Sequence, residues 1–114
     1  MDKLTPRQNL IKQFMSEFAE IVNNSPMRRS EMMLIFDDEH KQYLLLKVGR
    51  WENDHRVHHP TLHVHLQNDK FWIEEDWTED GFATYLLENG IGKEEIVLAF
   101  HPPEIRHLTD FAVA

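Results

Sequence analysis

TLHVHLQNDKFWIEED, residues 61–76, decides how the rest of the chain is read. Its first half alternates. Leu62, Val64 and Leu66 fall on one side of an extended strand, and Thr61, His63, His65 and Gln67 on the other. Asn68-Asp69 predicts a two-residue hairpin turn, because both side chains tolerate positive φ. Lys70–Glu75 is then the returning strand. Such a loop sets the register: Gln67 opposite Lys70, Leu66 opposite Phe71, His65 opposite Trp72, Val64 opposite Ile73 and His63 opposite Glu74. One face of the hairpin is apolar. The other carries His63, His65, Trp72 and Glu74, and a tryptophan on that polar face points to a binding surface.

Upstream, Met32–Asp37 and Gln42–Val48 read as two more strands joined by the polar turn Asp38–Lys41. Leu44, Leu46 and Val48 share one face of the second. Asp37, Asp38 and Glu39 read as a solvated turn, since consecutive acids rarely converge on one ion. Gly49–Pro60 is irregular and polar. Before these strands, Thr5-Pro6-Arg7-Gln8 has the form of a capping box, with Thr5 as N-cap. Leu10, Ile11, Phe14, Met15, Phe18, Ile21 and Val22 then mark one stripe of a helix that Asn23–Pro26 ends.

Downstream, Thr78 is placed as the N-cap of a second helix running to about Asn89, with Trp77 and Phe82 as a hydrophobic staple. Gly90 suits the position after the helix, with Ile91 folding back onto Leu86. Ile96–Phe100 is an apolar run of strand length. The tail ends in the apolar FAVA, which implies docking onto the body or onto a second subunit. The expected architecture is a single α+β domain over residues 1–114: N-terminal helix, antiparallel four-stranded meander, second helix, C-terminal strand.

The composition narrows the function. The chain has 114 residues, 20 acids against 12 lysines and arginines, a net charge of −8, eight histidines and no cysteine. Mean hydropathy is −0.54, a globular value. Disulfides and thiol chemistry are excluded. The opening residues carry no signal-like apolar run, so a cytoplasmic protein is expected. The acidity opposes wholesale wrapping of a nucleic acid, so direct nucleic-acid binding is not expected. An accessory contact would use Trp51, Trp72, Arg50, Arg56 and Lys47.

Enzyme chemistry has one candidate. His63 and His65 point the same way, and with Glu74 opposite they form an alternative metal or acid–base site. No HExxH, GxSxG or phosphate-cradling glycine loop accompanies them. No catalytic residue, metal or cofactor is therefore expected, and a protein-binding role is.

A longer pattern supports that expectation. Phe36-Asp37, Tyr43–Val48, Gly49, Trp51, Arg56 and His63 lead into Asp69-Lys70-Phe71-Trp72-Ile73 and Thr78-Glu79. Leu86, Gly90 and Lys93 precede IVLAFHPP at Ile96–Pro103, then Arg106, Thr109 and the closing FAVA. From the Met1–Leu4 opening to the end, the chain resembles the XisI family, the fdxN element excision controlling factors of cyanobacteria. It departs in having Gly92 where the family usually has proline, and in the extra His58 and His59.

The resemblance implies a small α+β protein that is not itself a recombinase. It implies a role beside an XisH-like protein, which looks like a nuclease fold, in letting a site-specific recombinase excise a DNA element during heterocyst development. The expected partners are the XisH-like protein and the recombinase machinery, with a homo-oligomer from the FAVA tail. The expected contact residues are His63, His65, Trp72 and Glu74, followed by Trp51, Arg56, His101 and Arg106.

Overall fold

In the computed structural model, which describes residues 2–114, the elements run in chain order as α1 (Leu4–Asn23), β1 (Ser30–Asp37), β2 (Gln42–Gly49), β3 (His58–Gln67), β4 (Lys70–Asp76), α2 (Phe82–Glu88), a short 3-10 turn (Lys93–Glu95), β5 (Ile96–Leu98) and a second 3-10 segment (Pro103–Leu108). Met1, first residue of the family-like opening, lies outside the described residues. The strands form one sheet in the order β1-β2-β3-β4-β5. The first four pair antiparallel. β5 pairs parallel to β4, because the connection between them crosses over through α2. The sheet is therefore mixed and five-stranded.

The β3–β4 hairpin follows its turn chemistry. Asn68 and Asp69 take φ of 55° and 60°, the mirror-image turn whose twist suits antiparallel strands. Gln67–Lys70, Leu66–Phe71, His65–Trp72 and Val64–Ile73 pair as the loop length dictates. Beyond them the register shifts at a bulge between His63 and Val64, so His63 faces Glu75 rather than Glu74.

Both helices lie on one face of the sheet. Ile11, Met15 and Ala19 of α1 join Phe82 and Leu86 of α2 in one core with Tyr43, Leu45, Leu62, Val64, Phe71, Ile73 and Ile96. Phe14 links the two helices, its ring 5.1 Å from that of Phe82 and 4.9 Å from that of Tyr85. Ile21, assigned by spacing to the apolar stripe, is 75% exposed. Phe18 and Val22 on either side of it still pack against the core, so Ile21 falls at the margin of the stripe.

Both helix starts differ from expectation in the same way. α1 begins at Leu4, and Asp2 Oδ1 accepts the Leu4 amide at 2.9 Å, so Thr5 is not the cap. α2 begins at Phe82, not near Thr78. Asp76 organises the approach: Oδ1 accepts the Thr78 amide and hydroxyl, and Oδ2 accepts the Phe82 amide at 2.7 Å. No staple forms, because Trp77 is 71% exposed. The end of α2 is as read. Gly90 has φ of 86°, its amide bonds Leu87 and the Ile91 amide bonds Leu86, a Schellman closure.

The FAVA tail docks on its own body. Ala112 bridges to Val97, its amide donating to the Ile96 carbonyl at 2.9 Å. Lys70 Nζ donates to the Ala114 carbonyl at 2.6 Å.

Candidate functional site

The sheet face opposite the helices is built from every second residue of four strands. In β2 the core takes Tyr43 and Leu45, fully buried, and leaves Gln42, Leu44 and Leu46 on the outer face. Leu44, Leu46 and Val48 do share a face, but it is this open one. Leu44 pairs with Ile35 on one side and His63 on the other, and Leu46 pairs with Met33. Met33 and Ile35 of the edge strand are both exposed. The result is an aliphatic strip beside the histidines.

His63, His65, Trp72 and Glu74 are brought together as the hairpin predicted, though the bulge reassigns their contacts. His65 Nε2 bonds Glu74 Oε2 at 2.8 Å, and its ring stacks on Trp72 with centroids 5.8 Å apart and planes 21° apart. His63 Nε2 bonds Gln42 Oε1 at 2.8 Å. Burial lowers the His63 pKa, against the opposing charges of Glu74 and Glu75 and with a smaller push from His65.

Trp72 is half-buried rather than freely exposed. Its indole N–H donates to the Gln67 carbonyl at 3.1 Å, and the Arg106 guanidinium lies 5.8 Å from its ring. Arg106 in turn donates to the carbonyls of His101, Ala99 and Val113. One arginine thus locks the C-terminal segment onto the tryptophan. His101 enters this network through its carbonyl, while its ring lies against Phe100.

Trp51 and Arg56 are elsewhere. They sit in the loop between β2 and β3, with the Arg56 guanidinium 5.9 Å from the Trp51 ring and Arg56 Nε donating to the Gly49 carbonyl. Trp51 is 70% exposed.

Sequence reasoning missed Gln42, Met33, Ile35 and the outward role of Leu44 and Leu46. The Tyr43–Val48 run is apolar at nearly every position, so alternation could not say which side faces the helices. Among the described residues, no three of His, Asp and Glu come together as a metal-holding group. His63 is bonded to Gln42, His65 to Glu74 and the Trp72 indole to a backbone carbonyl, and beside them lies half-buried aliphatic and aromatic surface. That arrangement suits contact with another protein surface better than proton transfer to a small substrate.

A sequence model described as XisI protein matches residues 1–113. Two solved structures share the fold at full length. One is the fdxN element excision controlling factor XisI from Anabaena variabilis, 38% identical, with a TM-score of 0.84 over 99% of this chain and 100% of that one. The other is a XisI-like protein from the same organism, 29% identical, with a TM-score of 0.85 over 98% of this chain and 100% of that one. Among curated proteins none matches.

Proposed function

The chain belongs to the XisI family, and from that premise we propose that it is a regulatory accessory protein, not an enzyme, that controls excision of a DNA element by binding a protein partner. One of the two similar structures carries the name excision controlling factor. The observation that carries the reading is the uncovered sheet face: Leu44, Leu46, His63, His65 and Trp72 stand opposite the helical layer, with Nε2 of both histidines and the indole N–H already hydrogen-bonded within the protein. Half-buried aromatic and aliphatic side chains of this kind anchor protein interfaces. The partner we propose is an XisH-like protein, with the recombinase machinery downstream of it, in the setting of cyanobacterial heterocyst development.

Co-expression with an XisH-like protein, followed by light scattering on a sizing column, tests the proposal. A complex of defined stoichiometry is the expected result. Two separate peaks at micromolar concentration would overturn it. No helix among the described residues is long and apolar enough to cross a membrane.

A further inference from the structure

At the end of the sheet where β1 begins and β2 stops, the helical layer leaves a groove of about 440 Å³. Its floor is apolar: Phe18 and Val22 from the last turns of α1, and Met32 from β1. Trp77 stands at its side, 71% exposed although its ring is large and apolar. Three groups that can carry positive charge line it, Arg28, Lys47 and His59. Lys47 and His59 are register partners on adjacent strands, and Lys47 also pairs with the buried Met32. A lysine in the core-facing series Tyr43, Leu45, Lys47 occupies a position that this strand otherwise fills with buried residues.

Among the described residues, neither Arg28 nor Lys47 is in a salt bridge with a carboxylate, and His59 Nδ1 lies 3.0 Å from the Pro60 carbonyl. No carboxylate lines this groove, although the chain has 20 acids against 12 bases. Glu75 lines an adjoining recess with Lys47 and His59, and it accepts the Trp77 indole N–H at 2.8 Å. Glu31 borders a second recess with Arg28 and Arg29. The acids stand around the groove rather than in it.

We propose that this groove binds a small amphipathic anion, one carboxylate or phosphate head on an apolar body. The head lies between Lys47, Arg28 and His59, and the body lies over Phe18, Val22 and Met32 against Trp77. The volume suits a ligand of drug-like size. The pairing of an apolar floor with Arg28 and Lys47, neither held by a carboxylate, is complementary to that chemistry and to neither a neutral oil nor a bare ion. The site is on the opposite side of the sheet from the proposed partner face, so the two readings stand or fall separately.

Fluorescence titration with anilinonaphthalene sulfonate, beside its uncharged parent phenylnaphthylamine, tests the proposal. The sulfonate should bind saturably at one site, and the parent about tenfold more weakly. The Lys47→Gln/Arg28→Gln double variant should lose about tenfold for the sulfonate and nothing for the parent. Decanoate and decyl phosphate then compete: displacement by either supports the site and names the head group, and displacement by neither overturns it. Equal affinity of the variant, or of the parent, also overturns it. Amide and indole NMR shifts of the unmodified protein with decanoate give a readout that needs no variant. Shifts at Val22, Thr61 and Trp77 are expected, and shifts confined to other regions would contradict the assignment.

Discussion

His63 carries the clearest single-residue consequence. Its folded pKa lies below the ordinary value near 6.5 because burial disfavours the charged ring. The unfolded chain therefore binds the proton more readily. The contribution of neutral His63 to stability is present above pH 6.5 and is lost as pH falls from there toward the lowered folded pKa. The groups facing the ring are Gln42 from β2, His65 on its own strand and Glu74 and Glu75 from β4. Replacing His63→Asn should flatten the fall in urea midpoint between pH 7.5 and 5.5; an undiminished fall would assign it to other histidines. Asp76 acts at the same scale. It holds three donors at the approach to α2, so Asp76→Ala should cost about 1–2 kcal/mol, measured by urea unfolding. Trp72→Ala tests binding poorly, since Trp72 also holds Arg106 and His65.

At the scale of elements, β1 is an edge strand whose Met32 backbone is closed off by a side chain. The Asn23 amide, at the end of α1, accepts the Met32 N–H at 2.9 Å and donates to the Met32 carbonyl at 3.0 Å. This copies a strand neighbour and blunts the edge there. Asn23→Ala should destabilise by about 1–2 kcal/mol and raise hydrogen exchange at Met32 above that of the β2 amides; uniform exchange across both strands would contradict it. The β3–β4 hairpin was legible because alternation and turn chemistry agree. β2 was not, because Tyr43, Leu44, Leu45 and Leu46 leave no alternation. The bulge at His63 has no residue signature, and it moved Glu74 from His63 to His65. Both helix starts were misplaced for one reason: an aspartate upstream, Asp2 or Asp76, supplies the oxygen expected from a threonine. Gly92 sits at φ of −78°, which proline could adopt, but its N–H donates to Glu95 Oε2, and proline would remove that bond.

For the molecule as a whole, the two faces of the sheet divide the labour. One is filled by α1 and α2 and holds the core. The other is left half-buried, with His63, His65, Trp72, Leu44 and Leu46 on one side of the sheet. The eight candidate residues were only partly legible as a set. The hairpin placed four, Arg106 joined them through Trp72, His101 contributes a carbonyl, and Trp51 with Arg56 form a separate pair on the β2–β3 loop. Long-range placement of that kind depends on where the tail docks, and local spacing carries no record of it. The central claim is that the open face binds a protein partner. Isothermal titration of an XisH-like protein with Leu44→Lys tests it most directly, because Leu44 lies on that face and outside the core. The account predicts at least about a tenfold loss of affinity with the urea midpoint little changed. Unchanged affinity in a folded Leu44→Lys protein would contradict it.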